Sequence, residues 1–155
     1  MHLADKSVDF VAYDDCGHLI LLGEVKGRRG ISDQWAARFR RNMLAHGTLP
    51  NAPFFFIATP EHLYFWRQDR SLSGDEPPEF TIDAKNELKP YFEKSSQTPE
   101  TISERGLELV VLSWLTDIAR SGKARAKHDP SIRWLFDTGL IDALQKARIE
   151  MYPVQ

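Results

Sequence analysis

The feature that most constrains how this chain can fold is a pair of strand-like segments near its beginning, residues 8–13 and 19–26. Both are rich in β-branched, aromatic or leucine side chains, which favour strands. The four residues between them have the sequence Asp-Asp-Cys-Gly, and Gly17 can adopt the positive φ that a tight turn often requires. The pattern predicts a β-hairpin in which Asp14 and Asp15 act as turn residues rather than as metal ligands.

The second of these strands ends on two charged residues. Apolar or small residues occupy positions 19–23, but Glu24 and Lys26 follow on either side of Val25. Side chains two positions apart on a strand point to the same face, so the carboxylate and the ammonium are neighbours, whereas Val25 points into packing on the other face. The pair is either an ordinary salt bridge, worth about 0–1 kcal/mol when exposed, or part of a charged site.

After the hairpin, a helix and two further strands are predicted. Ser32 or Asp33 is expected to cap a helix that ends near Gly47. The apolar runs FFFIAT at 54–59 and LYFW at 63–66 are expected to be short strands. The predicted order of elements is therefore β-β-α-β-β.

The second half of the chain is predicted to be mainly helical. The turn-rich residues 70–81 are expected to be a connection, and a short helix is expected within 83–94. The Thr-Pro pair at 98–99 is a good helix start, and the apolar residues that follow recur at helical spacing. Further helices are predicted from 129–130 and over 140–149. The apolar stripe of the long helix consists of Leu107, Val110, Val111, Trp114, Leu115 and Ile118.

Composition excludes several classes of protein. With 155 residues, 42% of them hydrophobic, the chain can bury one core, and we expect a single domain over residues 1–155. The net charge of −2 excludes a uniformly basic nucleic-acid coat. A lone cysteine, Cys16, cannot form an internal disulfide, and no apolar run approaches membrane-spanning length. We therefore expect a cytoplasmic protein with no membrane partner. The sequence also contains no motif that indicates a zinc site, a nucleophile elbow or a P-loop.

Basic residues cluster just after the hairpin. Between residues 25 and 46 there are six basic residues and one acidic residue, a local charge of +5, while the rest of the chain carries −7. Such a cluster favours contact with a phosphate backbone, and a solvated polar surface is the alternative. On the predicted helix, one face carries Gln34, Arg38 and Arg41, and the opposing face, which is expected to pack, carries Trp35, Phe39 and Met43.

Four polar residues of the predicted hairpin and helix form a pattern with chemical meaning. Asp9 lies in the first strand, Glu24 and Lys26 form Glu-x-Lys at the end of the second, and Gln34 stands near the start of the helix. This arrangement, over about residues 8–66, resembles the active-site signature of the PD-(D/E)XK nuclease superfamily. The resemblance implies an α/β, restriction-endonuclease-like core with a mixed sheet of about four strands flanked by helices. Additional C-terminal helices would then occupy residues 83–152.

The resemblance implies a nuclease that hydrolyses phosphodiester bonds of nucleic acid, DNA above all, with Mg²⁺ or Mn²⁺. Such hydrolysis needs a hard cation, which carboxylates, backbone oxygens and water can hold. Asp9, Glu24 and the carbonyl of Val25 are the candidate metal ligands. Lys26 is positioned to orient the attacking water or stabilise developing charge, and Gln34 is a further candidate catalytic residue. The candidate nucleic-acid contacts are Arg28, Arg29, Arg38 and Arg41.

Two alternatives stay open at this stage. Nucleases of this superfamily usually have a helix before the first catalytic strand, often with a further acidic residue, whereas seven residues precede Val8. The alternative to an active enzyme is a catalytically inactive nucleic-acid-binding or assembly module on the same fold.

We also expect a homodimer, because the apolar surface around Trp114 is wider than one stripe. The competing expectation is that residues 129–152 cover this surface within one chain.

Overall fold

A six-stranded mixed sheet flanked by helices forms the α/β architecture of this chain. The computed structural model describes residues 8–45, 50–68 and 75–151. The strands are β1 (Phe10–Tyr13), β2 (Leu19–Val25), β3 (Phe54–Ala58), β4 (His62–Arg67), β5 (Phe80–Asp83) and β6 (Arg148–Met151). The helices are α1 (Asp33–Ala45), α2 (Ala84–Glu87), α3 (Lys89–Lys94), α4 (Glu104–Ala126), α5 (Arg133–Asp137) and α6 (Leu140–Leu144), with a 3₁₀ turn at Pro130–Ile132.

The four central strands and the helix between them confirm the predicted β-β-α-β-β order. The sheet order is β5-β4-β3-β2-β1-β6, and every neighbouring pair is antiparallel except β2 and β3. A parallel pair needs a crossover connection, which α1 provides. Ser32 caps α1, because its Oγ accepts a hydrogen bond from the Trp35 N–H at 3.1 Å. The predicted end of this helix, near Gly47, lies outside the described residues.

The structure corrects several details of the predicted sheet and C-terminal helices. The sheet has six strands rather than about four, because β5 pairs with β4 and β6 pairs with β1. Residues 148–151 are therefore extended, although the last helix was predicted to run over 140–149. Without β6, the edge of β1 would expose a row of unpaired backbone groups. The single short helix expected within 83–94 is two helices, α2 and α3, which meet at Leu88.

The long helix α4 begins later than the Thr-Pro pair predicts. Ser103 is its N-cap, and the Ser103 Oγ accepts a hydrogen bond from the Gly106 N–H at 3.0 Å. Thr98 instead belongs to a turn, in which the Thr101 N–H donates to the Thr98 carbonyl at 3.2 Å. The predicted apolar stripe is confirmed, since all six of its residues are buried. Among the helices of the described ranges, none is long and apolar enough to cross a membrane.

Packing within the chain covers the surface on which the homodimer expectation depended. One hydrophobic cluster joins one face of the sheet to α4, α5 and α6, and a second lies between the other face and α1. Trp114 is only 1% exposed, and Leu135 and Ile141 from the C-terminal helices lie in its cluster. Leu109 is the one large hydrophobic residue of the described part that is exposed. The homodimer stays a prediction that sedimentation equilibrium can test.

A buried carboxylate ties α2 to the C-terminal half of α4. Glu87 Oε2 accepts a hydrogen bond from Trp114 Nε1 at 2.7 Å, and its two oxygens accept from the Arg125 guanidinium at 2.6 Å each. Arg125 Nε also donates to Asp129 at 2.8 Å, just before the 3₁₀ turn. A buried carboxylate is tolerated only where donors and an opposite charge satisfy it, so these contacts must form together.

Replacing Glu87 with alanine is expected to lower the free energy of unfolding by about 2–4 kcal/mol, because Trp114 and Arg125 lose their acceptor. Urea denaturation followed by circular dichroism measures this change. Lys85→Ala is the matched control, since it removes an ion pair with Glu100 whose side chains are 49% and 66% exposed. Such exposed pairs contribute about 0–1 kcal/mol. An equal loss in both variants would contradict a structural role for Glu87.

Candidate active site

Asp9 and Glu24 lie side by side where β1 begins and β2 ends. The antiparallel register ends with Phe10 opposite Gly23, and Asp9 and Glu24 are the next residues of the two strands, with their carboxyl groups within hydrogen-bonding reach of each other. The Asp9 N–H donates to the Gly23 carbonyl at 3.0 Å, and the Asp9 Oδ2 accepts from the Val25 N–H at 2.8 Å. Opposed residues of two paired strands point to the same face. The structure therefore brings the two predicted carboxylates together.

The Glu24 carboxylate is buried and only half satisfied. The residue is 9% exposed, and its Oε2 lies 3.3 Å from Lys26 Nζ. Its Oε1 is buried without a donor among the described residues, but the Glu24 carboxyl lies within hydrogen-bonding reach of the Asp9 carboxyl, a contact that one shared proton satisfies. Burial, followed by the charge of Asp9, raises the pKa of Glu24 to about 8. Because an unpartnered buried carboxylate oxygen is costly, this site favours the binding of a proton or a cation.

The oxygens at this position fit a hard divalent cation. Mg²⁺ and Mn²⁺ prefer carboxylate, carbonyl and water oxygens, and Asp9 and Glu24 supply two carboxylates. The N–H and C=O of one strand residue point to the same side, so Val25, whose N–H meets Asp9, presents its carbonyl on that side too. The Lys26 N–H points the opposite way, to the Ala58 carbonyl at 2.9 Å. The predicted ligand set is thus compatible with the backbone geometry.

Lys26 stands between the carboxylates and α1. Its Nζ lies 3.3 Å from Glu24 Oε2 and 4.7 Å from the centroid of the Phe39 ring. The side chain is 26% exposed, so the ammonium is open to solvent on one side. An ammonium with three donors can keep its contact with Glu24 and still donate to an incoming phosphate.

A third carboxylate at this edge of the sheet, that of Glu104, was missed from the sequence. Glu104 is the first residue of α4, and its Oε1 accepts a hydrogen bond from the Gly27 N–H at 2.9 Å. A Cβ on Gly27 would lie 3.0 Å from the Glu104 Cα, so the end of β2 approaches α4 this closely only with glycine. Burial is the main cause that raises the pKa of Asp9, and the charge of Glu104 contributes to it. The only sequence signal was an acidic residue in the first turn of a helix.

Arg29 holds the start of α4 against the loop that follows β2. Its Nε and Nη2 donate to the Pro99 carbonyl at 3.0 and 2.7 Å, and Nη2 also donates to the Ile102 carbonyl at 2.9 Å. Its Nη1 donates to the Gly27 carbonyl at 2.9 Å. These bonds engage four of the five guanidinium N–H groups. The structure therefore gives Arg29 a role in positioning Glu104, and contact with nucleic acid stays a prediction for it.

Replacing Arg29 with alanine is expected to lower the free energy of unfolding by about 1–3 kcal/mol, because three backbone carbonyls lose a charged donor. Arg28→Ala is the matched control, since the Arg28 guanidinium lies over the Trp35 ring at 5.5 Å and a contact of this kind contributes about 0.5–1 kcal/mol. Denaturation measures the stability, and amide hydrogen exchange at Gly27 reports the contact with Glu104. Equal effects of the two variants would contradict the positioning role.

Gln34 lies on a different flank of α1 from the one that Lys26 contacts. Together with Arg38 and Arg41 it lines a groove on one flank of α1, and Arg41 forms an exposed ion pair across this groove at 3.5 Å. Lys26 contacts α1 through Phe39, which lies on the other flank. The structure therefore does not bring Gln34 to the site, and its catalytic role stays a prediction.

The predicted basic surface is smaller than the sequence indicates. Arg40 is only 2% exposed, its Nε donates to Gln68 Oε1 at 3.0 Å, and its guanidinium lies 5.6 Å from the Trp66 ring. Arg40 is buried because it lies on the face of α1 that packs on the sheet. Arg28 follows β2 next to the site, and Arg38 and Arg41 are exposed on α1, where Arg41 pairs with Asp75 at 3.5 Å.

The hairpin turn holds an exposed acidic group that the structure explains without a ligand. In the described ranges, Asp14, Asp15 and Cys16 are the one group of three metal-ligating side chains whose ligand atoms lie within 4.8 Å of one another. Asp14 Oδ1 accepts hydrogen bonds from the backbone N–H groups of His18 at 2.7 Å and Cys16 at 2.9 Å. These bonds, the one from His18 first, lower the pKa of Asp14. The predicted turn role is confirmed for Asp14.

The comparisons with known proteins add no relative. No protein-family model, curated protein or solved structure matches this chain. The resemblance to PD-(D/E)XK nucleases therefore depends on the residues and geometry described above.

Proposed function

We propose that this protein is a divalent-metal-dependent nuclease with a restriction-endonuclease-like core, which hydrolyses phosphodiester bonds of DNA. The observation that supports this most is the close approach of two carboxyl groups, those of Asp9 and of the buried Glu24, whose Oε1 has no donor among the described residues. A salt bridge with Lys26 accounts for one oxygen of Glu24 but not for the other. Glu104 on α4 is a further acidic residue at this edge of the sheet, although the resemblance expects such a residue from a helix before the first catalytic strand.

The residues that would hold Mg²⁺ or Mn²⁺ are Asp9, Glu24 and Val25, the last through its carbonyl, with Glu104 as a further candidate. When bound, such a cation polarises a phosphoryl oxygen and lowers the pKa of water. Both carboxylates are held in position by the sheet. The Val25 N–H donates a hydrogen bond to Asp9, and the backbone of Glu24 is paired with Ile57 of β3. Near neutral pH and without the cation, Glu24 keeps a proton, since its pKa is about 8.

The other charged residues act on the substrate. Lys26 is half-buried beside Glu24, so its ammonium can donate to a phosphate oxygen and stabilise the negative charge that develops during hydrolysis. Arg28, Arg38 and Arg41 are exposed and can contact the phosphates on either side. These contacts orient the strand without reading its sequence.

A cleavage assay with paired variants tests this proposal. Plasmid, linear duplex and single-stranded DNA are incubated with the protein in Mg²⁺, in Mn²⁺ and in EDTA. We expect cleavage that needs the cation and that disappears in Asp9→Asn, because the variant loses one of two carboxylate charges. Asp14→Asn is the matched control, since Asp14 lies in the same hairpin but only stabilises its turn.

The assay also separates the alternatives. DNA binding without cleavage under every condition would favour a catalytically inactive nucleic-acid-binding module. Neither binding nor cleavage would favour an assembly module. Equal activity of Asp9→Asn and the parent protein would exclude this site as the active site.

A further inference from the structure

Two stacked aromatic rings, those of Trp35 and Phe39, form a surface beside the candidate active site. The two residues are one turn apart on α1, and their ring centroids are 5.1 Å apart at an interplanar angle of 7°. Both side chains are half-buried and rest on the hydrophobic cluster below α1. They were predicted to belong to a packing face, but part of each side chain remains open to solvent.

Cations surround this aromatic surface. Lys26 Nζ lies 4.7 Å from the Phe39 centroid, and Arg28 Cζ lies 5.5 Å from the Trp35 centroid. Arg38 lines the same shallow cavity of about 210 Å³ as the two rings. Within the described ranges, no acidic side chain pairs with Arg28 or Arg38. Flat rings next to unneutralised cations match a ligand that is both aromatic and anionic.

We infer that the aromatic surface stacks an unpaired nucleobase, so that the site takes single-stranded nucleic acid or a duplex with an unpaired end. This inference rests on the proposed function and names its substrate class. Bases inside a duplex are stacked on one another on both faces, so only an unpaired base can offer a ring face to Trp35.

Lys26 connects this surface to the carboxylates. Its ammonium contacts both the Phe39 ring and Glu24 Oε2. When a nucleic-acid strand stacks a base on the aromatic surface, a neighbouring phosphate of that strand therefore lies toward Lys26 and Glu24. The Arg28 guanidinium lies over the Trp35 ring at 5.5 Å. A base offers the ring a larger stacking area and its phosphate offers the guanidinium a full negative charge, so both partners gain when Arg28 moves from the ring to the phosphate.

A second tryptophan in the chain provides a matched control. Trp134 stacks on Phe80 with a centroid distance of 5.3 Å and an angle of 10°, and it is also half-buried. Its ring contacts Phe54 and Phe65 of the core, and no cation of the described part lies over it. Loss of Trp134 therefore removes a comparable stacked pair without touching the aromatic surface.

The test measures the binding of a short fluorescein-labelled single-stranded DNA by fluorescence anisotropy, in EDTA so that cleavage plays no part. We expect Trp35→Leu to weaken this binding about tenfold, as loss of one base-stacking ring does, and Trp35→Phe to retain most of the affinity. Trp134→Leu is expected to bind as the parent does. Binding of the corresponding blunt duplex, which cannot stack on the ring, is expected to be weaker than that of the single strand and unchanged by Trp35→Leu.

Circular dichroism and thermal unfolding of each variant establish that it is folded. If Trp35→Leu is not folded, Phe39→Leu replaces it, since this variant removes the other ring of the stacked pair and is also expected to weaken single-strand binding. Unchanged single-strand binding by a folded Trp35→Leu protein would overturn the inference, as would tighter binding of the blunt duplex by the parent. If single-strand binding depends on Trp35 but no DNA is cleaved in Mg²⁺, the inference stands and the nuclease proposal fails. If cleavage occurs and Trp35 has no effect, the nuclease proposal stands alone.

Discussion

Replacing Glu24 with glutamine is expected to lower the rate of Mg²⁺-dependent DNA cleavage by about 10²–10³-fold or more, while the protein stays folded and still binds DNA. Glutamine keeps the shape of the side chain but removes the negative charge that would hold the cation. Lys26→Ala is expected to have an effect of the same order, because the ammonium stabilises charge that develops at the phosphate. Single-turnover cleavage with excess protein measures the rates directly.

Glu108→Gln is the matched control for Glu24→Gln. Glu108 is also a buried carboxylate on the same side of the molecule, only 3% exposed, but Arg105 Nη1 donates to its Oε1 at 3.0 Å and thus satisfies it within α4. We expect this variant to retain most of the cleavage rate. A loss of activity in Glu108→Gln as large as that in Glu24→Gln would indicate that any buried carboxylate matters and would remove the case for a special role of Glu24.

In EDTA, the free energy of unfolding is expected to fall as the pH rises from about 4.5 to 8, and Glu24→Gln is expected to remove most of that fall. The pKa of Glu24 is raised from an ordinary value of 4.5 to about 8. Glu24 therefore binds more protons in the folded chain than in the unfolded chain in this interval, and the stability that its proton contributes is fully present below the unfolded pKa. It is lost as the pH rises through the folded pKa.

The expected size of this effect is about 2–4 kcal/mol between the two ends of the interval, since one pKa unit corresponds to about 1.4 kcal/mol and the group keeps some access to solvent. Urea titrations at several pH values measure it for the parent and for Glu24→Gln. At pH 8 the addition of Mg²⁺ is expected to stabilise the parent but not the variant, because a ligand of the folded state alone stabilises that state. Parallel pH profiles of the two proteins would show that Glu24 is not the group that titrates.

The sequence by itself determined the features that depend on neighbours along the chain. A period of two places Glu24 and Lys26 on the same face of β2, and the turn residues set the hairpin that carries Asp9 opposite Glu24. A period near 3.6 identified the buried stripe of α4, and the apolar runs after α1 identified β3 and β4. These patterns act within a few residues, so they can be recognised without knowledge of the fold.

Only the tertiary structure decided the features that join distant parts of the chain. Glu104 reaches the end of β2 because Gly27 has no side chain and because Arg29 binds the carbonyls before α4. These contacts span 70 to 77 residues of sequence. The chain segment predicted as the end of a helix became β6, since backbone pairing with the open edge of β1 outweighs a weak helical pattern. The raised pKa of Glu24 has the same origin. Desolvation depends on everything that surrounds a group in space, and the order of residues along the chain does not contain that information locally.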